Sequence, residues 1–122
     1  MSGTNFCLSV PGGDTTLGTP LELAICSTAA TQTFSFTNGQ ISYTSPGNVT
    51  RCLNVLGGSA TSGNIGLWDC GAFFNEQFTI RGPVTSMGQC VEMSGGIPYE
   101  GVPIGVAPCV SGAPRQSWEY YW

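Results

Sequence analysis

The sequence predicts an all-β domain closed by threefold symmetry, a β-trefoil, and three observations carry that prediction. A unit of roughly forty residues recurs three times along the 122-residue chain. Each unit holds two cysteines at near-identical spacing: Cys7 and Cys26, Cys52 and Cys70, Cys90 and Cys109. Between these anchors, short alternating runs are punctuated by Gly, Pro and Ser, which leave no helical window longer than about eight residues. Short strands at regular spacing make a closed sheet, and three equal units give it a threefold axis. One domain spans 1–122, with repeats at approximately 1–39, 40–82 and 83–122.

Composition narrows the functional classes. A 122-residue chain can bury roughly two thirds of its unfolded surface. It carries three Arg, no Lys, no His and seven acidic residues, for a net charge of −4. No basic cluster exists to neutralise phosphates, so neither nucleic acid nor an anionic membrane surface is an expected partner. No apolar run approaches the roughly 20 residues of a spanning helix. No secretory leader follows Met1, which predicts either an engineered start or export by an unconventional route.

The first repeat opens with alternation over residues 6–10, Leu8 and Val10 facing one way and Cys7 and Ser9 the other. Residues 11–19 are turn chemistry. Leu21, Leu23 and Ile25 then share a face. Residues 33–37 and 40–44 flank Asn38-Gly39, a strong hairpin signal that predicts Phe36 opposite Ile41 and Phe34 opposite Tyr43. In the second repeat Leu53, Val55, Ile65 and Leu67 point inward, with a further strand expected over 77–81. In the third, Val91, Met93, Ile104 and Val106 point inward, after a brief strand within 83–86.

Six cysteines allow 15 pairings. Repetition selects one of them, since equivalent units should bridge alike: 7–26, 52–70 and 90–109. Each such loop contributes about 3 kcal/mol by the chain-entropy estimate. Zinc fits poorly, because no two cysteines lie two to four residues apart and no His completes a site. Disulfides imply an oxidising, secreted or extracellular setting, with which the sequon Asn48-Val49-Thr50 agrees.

The pattern Cys-Leu-x-Val, then Leu/Ile-x-Leu/Val-x-x-Cys, then Gln-x-Phe/Trp resembles the R-type lectins, the ricin B-chain family of β-trefoils. The Gln-x-Trp signature stands here as Gln32-Thr33-Phe34, Glu76-Gln77-Phe78 and Gln116-Ser117-Trp118, the second with Glu in place of Gln. The resemblance implies a glycan-binding protein without metal or cofactor, with galactose or N-acetylgalactosamine the default ligand class. It also implies where sugar sites sit: an acid two residues after the first Cys, an aromatic two before the second, and an Asn just before Gln-x-Trp. Copy one offers Ser9, Ala24 and Thr31, and copy three Glu92, Ala107 and Arg115, neither with an aromatic platform. Copy two offers Asn54, Trp68 and Asn75. In the family the acid bonds the Gln of Gln-x-Trp. Here both partners differ, as Asn54 and Glu76, so the hypothesis is a carboxylate–amide pair with its ends exchanged.

The residues reach the same place unaided. By alternation Asn54 shares the face of Cys52 and Trp68 that of Cys70, and a disulfide draws the two faces together. They should flank one concavity with the 57–63 loop as its lip. An aromatic face stacks on the C–H face of a sugar, while amides and carboxylates sort hydroxyls. Trp68 as plain core is the bland alternative, but Ala24 and Ala107 hold the equivalent positions, and a core position would not alternate so in size. Asn54 and Asn75 are equally compatible with ordinary loop roles. Phe34, Phe78 and Trp118 are aromatic in all three copies and read as core, as do Tyr120, Tyr121 and Trp122. Phe73 and Phe74 fit either a site rim or loop packing.

Catalysis is not expected. Glu92 and Glu100 are the candidates for a hydrolytic carboxylate pair, and nothing in the sequence marks them for it. Without His or Lys the usual general bases are missing. Two other classes remain open: a trefoil protease inhibitor presenting a loop such as 12–19, and a targeting module of a larger secreted enzyme or toxin. Counting strands leaves copy one a strand short, since 1–5 is too brief to supply a strand and its turn. The expectation is an open barrel edge near 119–122, available to a second copy of the chain.

Overall fold

The computed structural model describes residues 1–58, 63–80, 83–95 and 97–119. Strands β1 (Phe6–Ser9) and β2 (Glu22–Ile25) form an antiparallel pair. The other strands are β3 (Ser35–Thr37), β4 (Gln40–Thr44), β5 (Thr50–Val55), β6 (Gly63–Trp68), β7 (Thr85–Ser86), β8 (Gln89–Met93) and β9 (Ile104–Ala107). These seven curl into one antiparallel sheet in the order β3-β4-β5-β6-β9-β8-β7. This all-β architecture is a β-trefoil.

The hairpin at Asn38-Gly39 forms as its sequence dictates. Both residues take positive φ, 52° and 81°, and the turn pairs Phe36 with Ile41. Phe34 lies outside the ladder, yet its ring still meets Tyr43 at 6.2 Å between centroids. The same turn recurs between β7 and β8, where Met87 takes φ 53° before Gly88. Its apolar identity hides that turn from a sequence reading.

The inward-facing set assembles as alternation requires. Leu21, Leu23, Leu53, Val55, Ile65, Leu67, Val91, Met93, Ile104 and Val106 are all buried in one core drawn from the three repeats. Ile25 departs from the expected face, being 56% exposed. It pairs with Phe6 at the terminal rung of the two-stranded β1–β2 hairpin. Residues 77–80 make a crossing rather than a strand: Phe78 N–H donates to Gly39 O at 2.7 Å, and Thr79 bridges Thr85 alone. Arg81, the expected end of that strand, lies outside the described residues.

Three disulfides join Cys7–Cys26, Cys52–Cys70 and Cys90–Cys109, with Cα atoms 5.0, 4.9 and 4.9 Å apart. Each ties a strand to the chain just beyond the next one. Of the open edge expected near 119–122, only Glu119 is among the described residues, and the first residues bond nearby chain. The Met1 ammonium donates to Phe6 O at 2.6 Å and Ser2 N–H to Ser117 O at 3.1 Å. Burial holds that ammonium below the usual α-amino range, while the charge of Glu119 pulls the other way. Tyr120, Tyr121 and Trp122 lie outside the described residues.

Candidate functional site

In the second repeat, β5 and β6 pair so that Cys52 faces Trp68 and Asn54 faces Gly66. The bridge from Cys52 to Cys70 turns the chain at the end of β6 into a 3-10 turn, Phe74–Glu76, packed against β5. The three turn residues project differently. Glu76 goes fully inward, Asn75 sits above β5, and Phe74 stands 67% exposed. Trp68, at 39% exposure, pairs with Cys52 and so lies on the same face of the β5–β6 ladder as Asn54.

The polar residues form one continuous network. Asn54 Nδ2 donates to Glu76 Oε2 at 2.9 Å, and Asn75 Nδ2 donates to Asn54 Oδ1 and Val55 O, both at 3.0 Å. Glu76 Oε1 accepts from Gly71 N–H at 3.0 Å and from Gln40 Nε2 at 3.5 Å. Gln40 Nε2 also donates to Gly71 O at 2.7 Å. A fully buried carboxylate is thus held by neutral donors, which offsets the desolvation that an unpartnered charge would suffer. Asn54 is itself 5% exposed, so it is a buried member of the network rather than a rim residue.

The other repeats show how this differs from its relatives. A residue of the turn accepts from the N–H after the second Cys in all three copies: Gln32 from Ser27 at 2.8 Å, Glu76 from Gly71 at 3.0 Å, Gln116 from Val110 at 2.8 Å. In copy three the amide donates and the acid accepts, Gln116 Nε2 to Glu92 Oε1 at 2.9 Å. In copy two the acid sits on the turn and the amide on the strand. The pair is therefore exchanged end for end, and its hydrogen bond survives.

The remaining copies do not assemble the same set. Copy three places Arg115 Nε on Glu92 Oε1 at 3.1 Å, so a guanidinium of the chain itself occupies the acid there. Ala107 provides no ring above it. Copy one has Ser9, Ala24 and Thr31 at the corresponding positions. Glu92 and Glu100 do not pair, since Glu92 binds Arg115 and Gln116 while Glu100 receives Ile25 N–H at 3.5 Å.

Gln40 and Gly71 are the members that sequence reasoning missed. Gln40 lies 36 residues from Glu76 on the strand before the first Cys of its copy. Its signal was faint: a long amide starting a strand directly after a hairpin Gly. Arg51 is a third omission. Its Nε donates to Thr15 O at 2.9 Å and its Nη1 meets Asp69 at 3.4 Å, which pins the 11–19 loop beside Trp68. Of the 57–63 loop expected as the lip, residues 59–62 lie outside the described residues, while Gly57 and Gly58 remain. A Cβ built on Gly58 would sit 3.7 Å from Asn75 Nδ2.

Residues 1–118 match the model of the ricin-type beta-trefoil lectin domain. The chain belongs to that family. As a ricin-type lectin domain it is a carbohydrate-binding module. No curated protein sequence matches the lectin domain. Among solved structures it is similar to ThreeFoil, a designed 3-fold symmetric protein, with 15% identity and a TM-score of 0.77 over 93% of this chain and 88% of that one. It is also similar to part of a mosquitocidal holotoxin, with 14% identity and a TM-score of 0.74 over 93% of this chain but 15% of that one. At such identities these likenesses concern the fold.

Proposed function

We propose that this domain is a non-catalytic, extracellular lectin that binds glycans through one principal pocket in the second repeat, formed by Trp68, Asn54, Asn75 and Glu76. The observation that carries the reading is an exposed indole on the same sheet face as a satisfied amide–carboxylate network. The first and third repeats place alanine where that indole stands.

The chemistry follows from what each group has left to offer. Asn75 commits both amide hydrogens, so Oδ1 is its acceptor for a hydroxyl. Asn54 commits one hydrogen and one lone pair and retains one of each. Glu76 is fully buried, so it positions Asn54 rather than touching a ligand. A pyranose with its C–H face on Trp68 would place adjacent hydroxyls over the two amides. Galactose or N-acetylgalactosamine suits this division of an apolar face from an edge of hydroxyls.

Glycan-array screening followed by calorimetry with galactose tests the reading. Galactose-terminated glycans should bind and Trp68→Ala should abolish the signal in a folded protein. Absence of binding to every glycan would refute it. A second reading, a targeting module of a larger secreted enzyme or toxin, draws support from the holotoxin, of whose chain such a fold occupies a small part. It uses the same pocket, and sequencing the gene beyond both ends of this chain decides it.

A further inference from the structure

The threefold comparison that singles out Trp68 singles out a second ring. The first residue of the 3-10 turn is Ala30 in copy one, Pro114 in copy three and Phe74 in copy two. An exposed phenylalanine forgoes the burial that normally accounts for its side chain. It occurs in the same repeat, and on the same turn, as Asn75 and Glu76.

Its neighbour Phe73 has a structural reason for being there. A Cβ on Gly71 would fall 2.7 Å from Phe73 Cε2, so that ring lies against the Gly71 backbone whose N–H holds Glu76. Phe74 has another surrounding. Its ring tip reaches Gly58, whose Cβ would lie 3.8 Å from Phe74 Cζ and 3.7 Å from Asn75 Nδ2. Gly58 takes φ +67°, a conformation a side chain resists, and no side chain of its own stands between ring and amide. On the sheet face that carries Trp68, Asn75 bonds the buried Asn54 and lies across Gly58 from a second exposed ring.

We infer that Phe74 is a second stacking platform, which makes the site of the second repeat one for at least two linked sugar units. The inference rests on the pocket proposed above. Trp68 and the amides hold the terminal residue of the glycan, and Phe74 holds the adjoining one. Phe73 acts as a positioning residue for Glu76 through Gly71.

Calorimetry with galactose and with lactose, on wild type, Phe74→Ala, Phe74→Tyr and Trp68→Ala, tests this. Wild type should bind lactose more tightly than galactose, by about fivefold for one added stacked ring. Phe74→Ala should remove that preference with galactose affinity unchanged, Phe74→Tyr should keep it, and Trp68→Ala should lose both sugars. Equal wild-type affinity for the two sugars overturns the inference and leaves the pocket standing. So does a Phe74→Ala loss shared equally by both, or no loss at all. Failure of wild type to bind either sugar refutes the galactose pocket itself, and the inference with it.

Discussion

Replacing Asn54 by Asp restores the residue expected of the family at that position, and the structure predicts that the restoration is harmful. Asn54 Nδ2 lies 2.9 Å from a Glu76 oxygen that is fully buried. The substitution removes a donor to a charged acceptor, worth about 1.5–3 kcal/mol, and sets a second carboxylate in its place. Two unit charges at 2.9 Å repel by about 6 kcal/mol at an effective dielectric constant of about 20. A proton shared between them caps the cost, so the expected loss is about 3–5 kcal/mol at pH 7. It should shrink at low pH, where protonation restores a donor. Glu76→Gln alone should cost about 1–2 kcal/mol by setting two amide donors against each other. The double variant Asn54→Asp/Glu76→Gln reproduces the Glu92–Gln116 arrangement of copy three and should recover most of the loss, with a coupling energy of about 3 kcal/mol. It should also bind galactose more tightly, since a carboxylate accepts from two hydroxyls at once. Urea denaturation of the four proteins with disulfides intact is the assay. An Asn54→Asp variant as stable as wild type, or a double variant no better than the sum of the singles, would refute the exchanged pair.

Three further outcomes follow from the same geometry. Trp68→Ala should lose glycan binding while changing stability by no more than about 1 kcal/mol, whereas Phe78→Ala, 4% exposed, should cost about 3–5 kcal/mol in denaturant. Replacing Cys52 and Cys70 by Ser should cost about 2–5 kcal/mol and weaken galactose binding, because the bridge places the Gly71 N–H; the same change at Cys7 and Cys26 should leave affinity intact. Asp14, bonded to the Thr16 side chain and N–H, should titrate below 3.8 by NMR, and Thr16→Ala should raise that midpoint. Its small contribution to stability is present above pH 3.8 and fades as pH falls through the folded-state midpoint.

Much of this molecule is legible in its sequence because repetition turns one chain into three comparisons. Period-2 alternation placed Leu53, Val55, Ile65 and Leu67 in the core, and Asn38-Gly39 announced its hairpin, since both are local consequences of backbone geometry. Matched cysteine spacing led to the three bridges because equivalent copies bridge alike. Where the repeat breaks, at Trp68 against Ala24 and Ala107, the sequence alone marked the face that differs. It could not say that Asn54 is buried, or that Glu76 is held by Gln40 and Gly71, because those bonds join strands and turns whose approach is set by packing. Nor could it part Phe73 from Phe74, adjacent letters in one turn. Phe73 is the extended residue before the 3-10 turn and Phe74 its first residue, so their side chains leave the backbone in different directions, one ring against Gly71 and the other beside Gly58.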